Sequence, residues 1–244
     1  MRLLVTRAEP DALKLKAALE ERGVEATAEP LLSVSFDDGE PVELEGAQAL
    51  VATSRNALRA LKGQPVLVEA RGLPLFAVGK ATAAEARALG FEVVVTGAGT
   101  AAQLVAHIVS VLDPAAGLIV HLAGDALAGD IGGELEAQGF RVRQTVVYRM
   151  IAATALSDHT IEQLAVGEID GVILLSPRTA SIYADLIRRH GLTSAARGLT
   201  HFCLSQAVAR RLQPLGAVGI EVAAAPRLEE VLALIEAAAA QSRD

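Results

Sequence analysis

The sequence predicts two similar α/β domains, each built on a mainly parallel sheet flanked by helices. Three observations carry this reading. Short, near-continuous apolar runs alternate with Ala/Leu/Glu/Lys/Arg segments, the pattern of strands buried on both faces of a parallel sheet with helices between them. The pattern occurs twice. The chain has 244 residues, enough for one large domain or two small ones at roughly 100–200 residues each.

Taken in order, the apolar runs place strands at 3–5, 49–52, 75–78, 92–95, 118–122, 142–148, 171–175, 201–204 and 220–223. A helix is expected over 11–22, with Leu13, Leu15 and Leu19 apolar and Gly23 as its stop, and another over 81–89, stopped by Gly90. The repeat sets LLVTRAEPDALKLKAALEERGVEA against LIVHLAGDALAGDIGGELEAQGFRV, both reading strand, turn, helix, Gly, strand. It sets ALVATSRNALRAL against GVILLSPRTASIYADL, and PLFAVGKATAAEARALGFEVVV against THFCLSQAVARRLQPLGAVGIEV. Ser54 falls opposite Ser176 and Gly79 opposite Ser205, each at a strand-to-helix turn. The order is kept, so a unit of roughly 115–120 residues is duplicated, a normal domain size. Two stretches interrupt the pattern, Ser33 to Pro41 and Thr145 to Ala153. Two crossings mean a chain that leaves the first domain early and returns late.

Composition excludes several classes. Hydrophobic residues make up 52% and charged residues 21%, which is globular rather than disordered composition. A net charge of −7 and 3% aromatics with no Trp argue against a nucleic-acid binder. One cysteine permits no intrachain disulfide. The start MRLLVTRAEP lacks a secretory core and no run is long enough to span a membrane, so the expected setting is the cytoplasm. There is no GxGxxG after the first strand, no GxxxxGK[ST] and no GxSxG. The five histidines are scattered without HxxxH spacing, and solvated helix or strand-end positions are expected for them. Cys203, inside an apolar strand, reads as a buried structural thiol.

What remains is a set of polar strand-to-helix turns: Thr6-Arg7, Thr53-Ser54-Arg55-Asn56, Gly79-Lys80, Gly124-Asp125, Ser176-Pro177-Arg178-Thr179 and Ser205-Gln206. Ligands of open α/β sheets bind beyond the carboxyl ends of the strands. Helix N-termini, hydroxyls and the guanidinium forks of Arg7, Arg55 and Arg178 would offer donors to carboxylates there. Each Ser or Thr could equally be a plain helix N-cap. Recurrence in both halves favours an anion held in a cleft between two domains. Tyr148 closes the run TVVYRM. Its phenol is a hydrogen-bond donor and weak acid, and a packing role is an equal reading.

The pieces LLVTRAEP, ATSRNAL, FAVGKATA, TGAG, HLAGD, VVYR and LLSPRTA, in this order, resemble the uroporphyrinogen-III synthase family over nearly the whole chain. The resemblance implies two α/β domains on a two-stranded linker, one of residues 1–34 plus 150–244 and one of 37–144, with linkers near 33–38 and 145–150. Hinge motion around the ligand would follow. It implies no cofactor and no metal. The implied reaction converts hydroxymethylbilane, a linear tetrapyrrole with eight carboxylates made by an upstream synthase, into uroporphyrinogen III. Water is lost, ring D is inverted through a spiro intermediate, and the ring closes. Tyr148 aligns with the family's proton donor to the leaving hydroxyl, and Ser54, Ser176, Arg178 and Thr179 align with its substrate-contacting turns. Arg7, Thr53, Arg55, Gly79, Gly124, Ser205 and Gln206 complete the expected substrate set. A monomer is expected. The chain departs from the family at Ser205-Gln206-Ala207-Val208, where members commonly carry a Thr pair. The alternative reading is therefore an inactive two-lobed module that binds a small polyanion.

Overall fold

The structure is a computed structural model and describes residues 1–36, 39–97, 99–126, 129–216 and 219–241. The chain folds as two compact units, one of Met1–Ser33 with Ile151–Asp244 and one of Val34–Met150. The strands are β1 (Arg2–Val5), β2 (Glu25–Ala28), β3 (Leu32–Ser35), β4 (Ala47–Ala52), β5 (Leu75–Ala77), β6 (Val94–Thr96), β7 (Leu118–Gly124), β8 (Arg141–Ala152), β9 (Gly171–Leu174), β10 (Thr200–Cys203) and β11 (Gly219–Val222).

The first unit holds the sheet β2-β1-β9-β10-β11, and the second holds β8-β7-β4-β5-β6 with β3 beside β8. Each neighbouring pair within these two five-strand runs is parallel. Position by position, β2, β1, β9, β10 and β11 correspond to β8, β7, β4, β5 and β6. These are the pairings the internal repeat sets opposite each other. The second unit is thus the first with its chain order circularly permuted.

Both sheets are doubly covered because their strands alternate between two apolar cores. In the first unit Leu4, Val172, Leu174 and Cys203 pack under the helix Pro177–Arg189, while Leu3, Val5, Ile173 and Phe202 pack under Asp11–Glu20 and Leu228–Gln241. In the second, Leu50, Ala52, Val120 and Leu122 face Arg55–Arg59 and Lys80–Ala88, while Ala49, Val51 and Ile119 face Ala101–Val111 and Ile131–Glu136. Helix periodicity meets these faces: Leu104, Val105 and Ile108 are buried, one stripe of a 3.6-residue repeat. Each fully buried Leu contributes about 1.5–3 kcal/mol relative to exposure. The helix expected over 11–22 ends at Glu20, and Gly23 supplies the left-handed turn at φ 71.

Two expectations need correction. The apolar runs omit β3, which carries LSVS, and β2, which carries only EATA, although the internal repeat places a strand at β2 after Gly23. Neither has an apolar run, and pairing to a neighbouring strand is what makes each extended. His121 and His201 are not solvated: both are fully buried within strands. Their rings fill core space on strands that a side-chain alternation directs inward. Cys203 is buried as expected, and burial pushes its thiol up to about 12.

Candidate functional site

A ligand site of a doubly wound sheet lies at the carboxyl ends where the strand order reverses. In the first unit that point falls between β1 and β9; in the second it falls between β7 and β4. The turns singled out in the sequence sit at these ends and at the neighbouring β5 and β10.

After β1, the Thr6 hydroxyl is buried and donates to the Ile173 carbonyl at 2.7 Å. It ties two strands together. Arg7 follows, half-buried, with Nη2 3.1 Å from Asp11 Oδ2. After β9, Ser176 caps the 13-residue helix Pro177–Arg189, its Oγ accepting from Thr179 N at 3.0 Å and lying 2.8 Å from Thr179 Oγ1. Thr179 is buried and Arg178 is exposed. After β10, Ser205 starts the helix Gln206–Ala209, but its hydroxyl accepts no capping bond, and Gln206 is exposed.

After β4, Thr53 is exposed and Ser54 caps the helix Arg55–Arg59, Oγ accepting from Asn56 N at 3.2 Å. Arg55 is half-buried beside it. After β5, Gly79 is the extended N-cap of Lys80–Ala88, with open space where a Cβ would stand. The capping reading is therefore met at Ser54 and Ser176. A capping oxygen spends a lone pair, and its O–H proton still has a donor's use. Helix lengths refine the electrostatics. Arg55–Arg59 and Gln206–Ala209 are too short for more than a weak macrodipole, whereas Pro177–Arg189 and Lys80–Ala88 are longer.

After β7, Gly124 is buried and pairs with Tyr148 of β8. A Cβ on Gly124 would stand 2.5 Å from Tyr148 Cζ and 2.7 Å from its hydroxyl oxygen. Tyr148 is only 8% exposed and joins the core formed with Ala52, Ala57 and Leu122. The ring packs, and its hydroxyl has no hydrogen-bond partner among the described residues. Two acids hold this strand: Asp125, which belongs to the expected Gly124-Asp125 turn but not to the expected substrate set, and Glu40, which belongs to neither. Asp125 N donates to the Tyr148 carbonyl at 3.1 Å, and Asp125 Oδ1 accepts from Met150 N at 3.1 Å. Glu40 N donates to the Val146 carbonyl at 2.8 Å, and Glu40 Oε2 accepts from Val146 N at 3.1 Å. No local sequence signal distinguishes Glu40 from a solvated acid.

A sequence profile of the uroporphyrinogen-III synthase HemD family (HEM4) matches residues 14–233. The chain belongs to the uroporphyrinogen-III synthase family. It is accordingly an enzyme of the lyase class in tetrapyrrole biosynthesis, acting on a small molecule. The fold is similar to that of uroporphyrinogen-III synthetase from Helicobacter pylori, with a TM-score of 0.67 and 18% identity over 98% of this chain and 100% of that one. It is also similar to a mutant uroporphyrinogen III synthase from Thermus thermophilus, with a TM-score of 0.53 and 17% identity over 99% of each chain. No curated protein matches the chain.

Other polar groups lie away from these turns. A surface cavity lined by Met1, Arg2, Glu25, Glu168 and Asp170 sits at the amino ends of the first sheet, where Arg2 pairs with Glu25 at 2.7 Å and Glu168 at 2.6 Å. Among the described residues no group of three or more His, Cys, Asp or Glu could hold a metal ion, and no helix is long and apolar enough to cross a membrane. Burial lowers the pKa of His121 and outweighs the opposing pull of Gln144 and Asp130; it lowers that of His201 against the carbonyls of Gly219 and Leu199.

Proposed function

We propose that this chain converts hydroxymethylbilane into uroporphyrinogen III with Tyr148 as the proton donor. The observation that carries the reaction is the family match, which runs through both units. The assignment of Tyr148 is supported by its place at the carboxyl end of the β7–β8 pair and by a hydroxyl with no described partner. The phenol gives a proton to the substrate hydroxymethyl group as its C–O bond breaks, and water leaves. The pyrrole nitrogen lone pair completes the electrophilic azafulvene. The substituted carbon of ring D attacks it and forms the spiro intermediate, which fragments and recloses with ring D inverted. The proton lost when the closed ring regains aromaticity balances the one given to water.

Spontaneous closure at the free carbon gives the symmetric type I isomer, so selectivity comes from orientation. Within each unit the turns offer donors that suit carboxylates: Arg7, Ser176, Arg178, Thr179, Ser205 and Gln206 in the first, and Thr53, Ser54, Arg55 and Gly79 in the second. A net charge of −7 does not oppose this, because charge beyond roughly 8 Å is screened at physiological salt. The substrate closes by itself in water, so the enzyme works in the cytoplasm close to the upstream synthase, as a monomer whose sheets are already covered on both faces.

The test supplies freshly made hydroxymethylbilane, oxidises the products and separates the isomers. Predominant type III is expected. Type I alone, at the spontaneous rate, sinks the enzymatic reading. That outcome favours the polyanion-binding module, for which Ser205-Gln206 in place of the family's Thr pair is the supporting observation.

A further inference from the structure

We propose that Gly124 is a positioning residue for Tyr148, and that it acts together with a bulge in β8 and a clamp by Asp125. The inference rests on the assignment of Tyr148 as proton donor.

The register between β7 and β8 carries the argument. Leu122 pairs with Thr145 and Ala123 with Val146, but Gly124 pairs with Tyr148. Val147 is an extra residue in β8, so the pairing contains a β-bulge. Side chains alternate along a strand, and an inserted residue reverses the face taken by everything after it. Without the bulge, Val147 would lie opposite Gly124 and Tyr148 would point to the side of Ala101–Val111. With it, Val147 and Tyr148 both join the core under Arg55–Arg59 and Lys80–Ala88. That is the side on which the turns at Ser54 and Gly79 start their helices. The bulge therefore aims the phenol at the rim that carries the donors.

Once aimed, the ring needs room. The ring edge and hydroxyl of Tyr148 occupy the space a Gly124 side chain would fill, at 2.5 to 2.8 Å from a Cβ. Any other residue would push the phenol end of the ring away, since that end yields more easily than backbone. Gly124 takes no positive φ, so close approach rather than backbone freedom requires glycine here. The sequence reading assigned Gly124 to the substrate; the structure places it beneath the ring. On either side of the bulge an acid holds the β8 backbone, Glu40 at Val146 and Asp125 at Tyr148 and Met150. A bulge leaves ladder groups unpaired, and these contacts satisfy several of them and fix the register.

The chain has two tyrosines and no tryptophan, so a Tyr183→Phe background leaves Tyr148 as the only phenol. Its ultraviolet absorbance and the quenching of its fluorescence then report its surroundings directly. In that background Gly124→Ala is expected to change the phenol signal and to lower kcat on fresh hydroxymethylbilane by roughly tenfold to a hundredfold, the scale of a misplaced catalytic group. Added to Tyr148→Phe, the same change is expected to lower kcat no further. Asp125→Ala is expected to act in the same direction, and Asp125→Asn, which keeps the acceptor oxygen, to restore kcat. An unchanged phenol signal and kcat in Gly124→Ala would overturn the proposal, as would an equal loss with and without the Tyr148 hydroxyl. Should Gly124→Ala not fold, the Asp125 pair decides: equal kcat in Asp125→Ala and wild type overturns it. If Tyr148→Phe alone keeps full turnover, the proton-donor assignment fails, while the phenol signal still shows whether Gly124 seats the ring.

Discussion

β2 and β8 occupy the same place in two copies of one sheet, yet their carboxyl ends carry different chemistry. β2 runs into Glu29, a buried carboxylate. Its oxygens accept from Ser157 N at 3.0 Å, Ser157 Oγ at 2.5 Å and Thr160 Oγ1 at 2.6 Å. Every contact goes to the start of the helix Asp158–Ala165, so the group fastens a helix. β8 runs into a bulge and Tyr148, whose hydroxyl is left without a described partner. The same scaffold occurs twice; in one unit the strand end fastens a helix, and in the other it carries the phenol we propose as proton donor.

Four measurements break or sharpen this contrast. The largest effect is expected at Tyr148. Tyr148→Phe should lower type III formation by roughly a hundredfold or more, within the range for a lost general acid, with urea unfolding unchanged within error. A loss of stability matching the loss of activity would make Tyr148 a structural residue like Glu29. Glu29→Ala should do the opposite, costing about 1–3 kcal/mol by stranding the buried Thr160 hydroxyl and leaving kcat alone; urea denaturation read beside turnover checks both. Next come the caps. Ser54→Ala and Ser176→Ala should each cost about 1 kcal/mol and raise KM more than they lower kcat. A stability loss with an unchanged KM would reduce both serines to caps.

The smallest effect is pH-dependent and common to both units, through His121 in β7 and His201 in β10. Their folded pKa lies below the unfolded value of 6.5. The unfolded chain then binds protons that the folded chain refuses. Stability is unaffected above about pH 6.5 and falls as the pH drops through and below that value. His121→Gln and His201→Gln should flatten the acid side of a urea-midpoint profile relative to wild type. A parallel profile would show that the buried rings do not titrate.

Much of this arrangement is legible along the chain. Apolar runs mark nine of the eleven described strands, because a strand buried on both faces needs apolar side chains throughout. EATA and LSVS have none of that character, so β2 is legible only through the internal repeat and β3 escapes the apolar-run signal. The turn residues are legible because a helix start prefers Ser, Thr or Asp whatever the tertiary context. That same preference makes capping serines indistinguishable in sequence from ligand donors. The buried histidines escape because a polar ring in a core is decided by its surroundings, not by its own type.

The sequence by itself determined the duplication, the parallel α/β class and the family, since each is written in short-range pattern and order. Which face of its sheet Tyr148 takes, and how closely its ring approaches Gly124, depend on the tertiary structure. Alternation assigns a face only while the register holds, and the register of β8 is set by β7 and by Glu40 and Asp125, which are distant in sequence and adjacent in space.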